Sequence, residues 1–419
     1  MNKSIYFPAI GGTVANGMLQ DTKHKNGKSF RFLGENDRIF TYRKILCTAG
    51  HYHKIPIKEK LNLDFDKDIV LGDSGGFQLS TGSIKYSFEI VEKFFNWLEN
   101  NTNYAMNIDF PPYKKGFAGN VHEEAYDEKK YFADNLEKSI SHFKYFSEHA
   151  SGKTKFMNVL HGRNTKELDA WYEAIKHFDF PGGWGIGSLS TKSSNDIYLV
   201  LLTFFYLYEK KEFQRMKESF PSFLHFLGFS RIATMPVVLY LQHKLNERDE
   251  KLIITFDSSS PFSCIQFGSY YFSFGSNGIQ MFKFLSSTIE DKDKLNLDLP
   301  LPCSCPVCKD VKFSDIFHLV NDKGGFKSEF YMYLGLHNMF TLVEHKKKLE
   351  SIVELGSEKI NQEFFSSNIF KLFKMIDQAF LAPSPINYIA SSKQEIINLD
   401  NEKEVDSSSS KLKNFFGEE

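Results

Sequence analysis

Three cysteines fall within six residues, in Cys303-Ser-Cys305-Pro-Val-Cys308, and a histidine, His337, follows further along. Three thiolates and one imidazole make a closed tetrahedral zinc site, the structural kind that leaves no position for a substrate. Reactive or merely buried cysteines are the bland alternative, but two tight turns around one metal explain the crowding. Cys47 and Cys264 read as packing residues. Five cysteines in 419 residues are no disulfide framework, which points to a reducing compartment.

Two acidic motifs each follow an apolar run. The first is Gly72-Asp73-Ser74-Gly75-Gly76-Phe77-Gln78. It sets a carboxyl at a strand's end, two glycines that let backbone approach a flat ligand, and a phenyl ring that offers a stacking face. Read alone, it is equally an ordinary turn. The second is Phe256-Asp257-Ser258-Ser259-Ser260-Pro261. An isolated Asp there is more often a helix N-cap than a nucleophile. The serines lack the Gly-x-Ser-x-Gly elbow of a hydrolase.

The elements that must position these groups repeat along the chain. Apolar runs at Asp68–Gly72, Tyr104–Ile108, Lys155–Leu160, Gly183–Ile186, Phe223–Leu227 and Leu252–Phe256 read as buried strands. Between them, Phe88–Leu98, Leu136–Phe146 and Leu168–Phe178 carry apolar residues at helical spacing. Strands alternating with helices predict an α/β fold, and six units in about 200 residues fit a (β/α)8 TIM barrel. Catalytic groups of such barrels sit at the C-terminal strand ends, where Asp73, Asp109, His161, Gly187, Gly228 and Asp257 all fall.

The same pattern divides the chain. Residues 1–60 read as a divergent N-terminal segment with a basic patch, and 61–290 as the main part of the barrel. Residues 291–345 read as a zinc-binding subdomain, 346–390 as closing helices and 391–419 as a disordered tail. Residues 262–290 are aromatic and glycine-rich, like an antiparallel excursion. Lys+Arg 51 against Asp+Glu 52 excludes bulk basicity. The local cluster of Lys23, Lys25, Lys28, Arg31, Arg38, Arg43 and Lys44 is the kind of run that is usually a solvated face. The longest nearly apolar run, Ile197–Tyr208, is too short to span a bilayer. The chain is therefore expected to be soluble and cytoplasmic.

Together the motifs resemble the tRNA-guanine transglycosylase family, the base-exchange enzymes of 7-deazaguanine modification. The likeness runs from about residue 68 to 345. It is carried by Asp73-Ser-Gly-Gly-Phe-Gln78, Phe256-Asp257-x-x-x-Pro261 and the cysteine run ending in Leu336-His337-Asn338. The resemblance implies a TIM barrel with an inserted zinc subdomain. It casts Asp257 as the nucleophile on C1′ of a guanosine and Asp73 as the general acid/base. Asp109 would accept from the guanine N1–H and exocyclic amine. Phe77 would stack on the base opposite Leu227, and Ser74, His161, Gly162, Gly187, Ser188 and Leu189 would line the pocket. The chemistry stands without the family. An oxocarbenium-like centre is stabilised and then captured by one carboxylate, while a second handles the proton of the departing purine. The base must be flipped out to be reached.

Departures from the family are informative. His161-Gly162 stands where family members carry Gln-Gly, and Gly187-Ser188 where they carry Gly-Gly. After the nucleophile, Pro261-Phe-Ser-Cys-Ile-Gln266 lacks the arginines with which the tRNA enzymes hold an anticodon loop. A changed nucleic-acid grip on a retained centre is similar to the DNA-modifying branch, which inserts a preQ0-like base into DNA. The expected partners are DNA, a 7-deazaguanine base and helper proteins that open the duplex. A tRNA substrate and a non-catalytic accessory subunit are the alternatives. Leu412-Lys-Asn-Phe415-Phe416 has the outline of a sliding-clamp peptide without its leading Gln; two incidental phenylalanines in a tail are the favoured explanation.

Overall fold

The computed structural model describes residues 2–35, 37–112, 128–187, 196–229, 231–267, 269–275, 278–283, 298–317, 327–356, 360 and 365–401. Eight strands form one parallel sheet: β1 Ile5–Pro8, β2 Lys44–Thr48, β3 Ile69–Asp73, β4 Tyr104–Met106, β5 Lys155–Leu160, β6 Gly183–Ile186, β7 Phe223–Phe226 and β8 Ile253–Ser258. Neighbours in sequence pair from β2 to β8, and β1 pairs with β8. A parallel bridge from Ala9 to Leu46 brings β1 back to β2. The result is a nearly closed (β/α)8 barrel.

The strands are short and almost wholly buried, as parallel strands covered by helices must be. Large side chains fill the interior. The ring of Tyr104 on β4 stacks on that of Phe223 on β7 with centroids 4.1 Å apart, and Phe7 on β1 lies 6.1 Å from Phe223. This plug leaves chemistry to the residues above it, at the C-terminal rim.

The covering helices begin with side-chain caps. Ser87 caps Phe88–Asn101, which buries Val91, Phe94, Phe95 and Leu98. Asn164 caps Thr165–Ile175 by accepting from the Glu167 N–H, and Glu167 accepts in return from the Arg163 N–H. The apolar run at 197–208 lies in the helix Asp196–Glu209, buried from Ile197 through Leu207 beneath the helices Pro385–Ser391 and Lys393–Asn401. Among the described residues, no helix is long and apolar enough to cross a membrane.

Three expectations need correction. The barrel does not begin after residue 60: the N-terminal segment supplies β1 and β2, a quarter of its strands. The tail does not begin at residue 391, because Lys393–Asn401 is a helix whose Asp400 side chain and carbonyl receive Arg231. The sliding-clamp-like segment lies outside the described residues.

The basic cluster is in part the solvated face that its composition suggests, with Lys23 and Lys28 at the surface, but its arginines turn inward. The Arg31 side chain is buried, donating from Nε to Met18 O at 2.6 Å and from Nη2 to Leu19 O at 2.9 Å. Arg43 bridges Asp68 and Glu35, Lys25 pairs with Asp315, and Lys23 with Asp21. These cations tie the segment to acids both within it and across the fold. The expected antiparallel excursion is present as β9 Ser269–Gly275 paired with β10 Gly278–Lys283.

Candidate active site and metal centre

Four donors converge beside the barrel. The ligand atoms of Cys303, Cys305, Cys308 and His337 all lie within 4.8 Å of one another. His337 sits mid-way along the helix Ser328–Val353, and its Nε2 bonds to Tyr271 O at 2.7 Å. That bond turns Nδ1 toward the sulfurs, 3.2 Å from Cys308 and 3.4 Å from Cys305. The Tyr270 ring stacks on the imidazole at 3.8 Å, and its hydroxyl lies 3.3 Å from Cys308 Sγ. An imidazole fixed through its other nitrogen is how metal-ligating histidines are usually held. The donor set fits a metal ion with all four positions supplied by protein. Next to it, Asn338 accepts from the Tyr271 N–H and donates to Pro261 O and Ser269 O. The ligand helix thereby grips the loop that follows Asp257.

At the barrel mouth three carboxyls face one another. Asp73 ends β3, in register with Thr48 on β2. Burial pushes its carboxyl up to about 6, and Asp257 and Asp109 add repulsion, against hydrogen bonds from the Thr48 hydroxyl and the Gly75 N–H. The two glycines that follow serve the scaffold. Gly75 has φ 80°, and a Cβ on Gly76 would lie 2.0 Å from Asp109 O. Glycine therefore lets the Asp73 loop press against the backbone of Asp109, which draws these two carboxyls into one site. Ser74 is buried and accepts from the Gly76 N–H, so it shapes the same turn. Phe77 stands at the rim, 39% exposed.

Asp109 does not stand alone. Its Oδ2 lies 2.7 Å from Nε2 of His161, which is buried edge-on against Trp171. A Cβ on Gly187 would lie 2.1 Å from the His161 ring, so this glycine makes room for the imidazole. Gly162 has a packing role: the space a side chain would need belongs to Leu168. Leu227 is half-buried at the end of β7, on the barrel side of Gly185. Ser188 and Leu189 lie outside the described residues.

Asp257, on β8, is 7% exposed. Its Oδ1 accepts from the Gly228 N–H at 2.6 Å and lies 3.2 Å from His225 Nε2. Gly228 has φ 68°, the left-handed conformation that aims its N–H there. His225 Nδ1 in turn meets the Thr255 hydroxyl at 2.8 Å. Among the described residues, nothing hydrogen-bonds Oδ2. Sequence reasoning passed over His225, Thr255 and Thr48. The signal was available: a histidine inside the apolar run Phe223-Leu-His225-Phe-Leu227, on the strand next to one carrying Thr255 and Asp257 two residues apart.

No family model matches the chain, and no curated protein matches it at a significant level.

Proposed function

We propose that the chain is a guanine transglycosylase that exchanges guanine in DNA for a 7-deazaguanine base through a glycosyl-enzyme ester. The observation that carries the proposal is the arrangement of the carboxyls at one barrel mouth, with a buried Asp73 beside an Asp257 held through one oxygen. Asp73 can hold a proton close to neutrality, while Asp257 keeps one oxygen bonded and the other open. A buried carboxyl that keeps its proton is suited to act as the acid of such a site.

In this proposal Asp257 Oδ2 attacks C1′ as the C1′–N9 bond breaks, and guanine leaves with the proton of Asp73. The incoming base then gives its N9 proton to Asp73 and attacks C1′, and the ester C–O bond breaks to restore Asp257. Asp109, steadied by His161, accepts from the two adjacent donors on the guanine edge. Phe77 at the rim offers the stacking face. The Cys3His set, with no position left for substrate, suits zinc in a structural role.

The preference for DNA rests on the absence of arginine after Pro261. Pro261 and Phe262 are buried, and the Asn338 side chain reaches both Pro261 O and Cys264 Sγ, so this loop is part of the scaffold. The basic segment gives no support, since Arg31 and Arg43 are spent within the protein. The test incubates purified protein with labelled guanine or preQ0 and duplex DNA, single-stranded DNA or bulk tRNA. Label should enter DNA, single strands most readily, because unpairing costs a few kcal/mol. Label entering only tRNA would transfer the proposal to a tRNA substrate. Label entering neither would remove it.

A further inference from the structure

We infer that His225 is a positioning residue that fixes the Asp257 carboxylate with Oδ1 locked and Oδ2 presented to the substrate. The inference rests on the proposed nucleophilic role of Asp257.

The strand register builds the arrangement. β7 and β8 pair with His225 opposite Thr255, and Asp257, two residues on, shares its face. All three lie inside the barrel, where His225 and Thr255 are fully buried. An ionised carboxylate oxygen only accepts, so the bond between Asp257 Oδ1 and His225 requires the imidazole proton on Nε2. Nδ1 is then an acceptor, matched by the Thr255 hydroxyl 2.8 Å away. The Asp257 carboxylate thus selects the tautomer, the Thr255 hydroxyl completes it by donating to Nδ1, His225 donates to Oδ1, and the Gly228 N–H takes the second acceptor direction of the same oxygen. Two donors on one oxygen stop the carboxylate from rotating and leave Oδ2 facing the mouth. A nucleophile held in its attacking orientation has no reorganisation left to undergo at the moment of reaction.

A packing role for the ring makes a different prediction. His225 lies in aromatic surroundings, 6.1 Å from the Phe7 ring centroid, where Phe would fill a similar volume. His225→Phe keeps the volume and removes the donor. His225→Gln removes the ring and keeps an N–H donor.

The experiment measures single-turnover formation of the covalent adduct, with a guanine-containing single-stranded DNA oligonucleotide and with bulk tRNA, in wild type, H225F, H225Q and T255V. Substrate affinity is measured in parallel. H225F should form adduct about 10- to 100-fold more slowly at unchanged affinity, the loss expected for one hydrogen bond to a charged group. H225Q should be the faster of the two. H225F as fast as H225Q or faster would assign the ring to packing and overturn the inference.

A second readout needs no activity. In nitrogen NMR of imidazole-labelled protein, with the resonance assigned by its loss in H225F, His225 should be a single tautomer protonated on Nε2. T255V should keep the proton on Nε2, because the Asp257 carboxylate sets the tautomer. A proton on Nδ1 in wild type would overturn the inference whatever the reaction. If wild type forms no adduct with either nucleic acid, the transglycosylase proposal fails, and with it this role of His225, even where NMR finds the pair intact.

Discussion

Replacing Asp73 by Asn should stabilise the folded protein at pH 8 while abolishing its chemistry. The carboxyl is half-buried at the barrel mouth and is raised from 3.8 to about 6, chiefly by burial and then by the charges of Asp257 and Asp109. Below pH 3.8 the group is neutral in both folded and unfolded chains and costs nothing. As pH rises from there to about 6, the unfolded chain ionises first. The folded state then binds more protons and loses stability with rising pH. At about 1.4 kcal/mol per pH unit, the full separation costs the folded state about 3 kcal/mol above pH 6. Solvent reaching the carboxyl reduces that to an expected 1–3 kcal/mol, at roughly the scale where screening matters. Asn keeps an acceptor for Thr48 and Gly75 but cannot ionise.

Urea unfolding of wild type and D73N between pH 4 and pH 8 measures the difference directly. Any effect of pH on the metal site is common to both proteins and cancels. The advantage of D73N should appear above pH 6 and shrink toward zero near pH 4. A difference independent of pH, or a D73N protein less stable at pH 8, would refute the assignment of a strained, protonatable carboxyl at this position.

Other consequences follow from the same structure. Under the proposed mechanism, single-turnover base release should slow as pH rises through about 6, because the proton that guanine would take is then absent from Asp73; a flat rate profile from pH 5 to 8 would contradict this. G187A places a methyl group within 2.1 Å of the His161 ring. It should displace the imidazole from Asp109 at a cost of about 1–3 kcal/mol and weaken base binding, read by urea unfolding and by guanine affinity. R31E should destabilise the protein by at least 1–3 kcal/mol, about the cost of leaving buried carbonyls unpaired, since Arg31 caps Met18 and Leu19. Loss of nucleic-acid affinity with unchanged stability would restore Arg31 as a contact. Elemental analysis of protein purified without chelator should give one zinc per chain. C303S should lose it and destabilise the Cys3His region, since metal binding in small zinc domains is worth about 10–16 kcal/mol.

Much of the scaffold was legible because buried parallel strands leave continuous apolar runs. β5 and β6 coincide with the runs Lys155–Leu160 and Gly183–Ile186, and the three sulfurs of the Cys3His cluster were visible in cysteine spacing. β1 and β2 were not legible. Ile5–Pro8 is four residues long and ends in proline, while Lys44–Thr48 follows a polar, basic stretch whose charges turn out to be paired across the fold. The helix Lys393–Asn401 looks like tail because its composition is polar. It is held by Ile396 and Leu399, buried in the core, and by an ion pair from Arg231 to the buried Asp400, which no local pattern announces.

The site divides in the same way. Asp73, Asp109 and Asp257 are visible as acids at strand ends. Their partners Thr48, His161 and His225 belong to neighbouring strands, so the pairings exist only once register is known. The glycines after Ser74 illustrate the limit most clearly. Their spacing reads as room for a ligand, whereas the close approaches they permit are to backbone, of Gly50 at Gly75 and of Asp109 at Gly76.

The central claim is that Asp257 forms a covalent bond to a nucleoside. Intact-protein mass spectrometry after rapid denaturation, with guanine-containing DNA and with tRNA as separate substrates, tests it most directly. The account predicts a protein–nucleic acid adduct in wild type, its dissolution on adding excess free base, and its loss in D257N, which should retain fold and metal. An adduct of equal yield in D257N, or none in wild type with either nucleic acid, would contradict the claim.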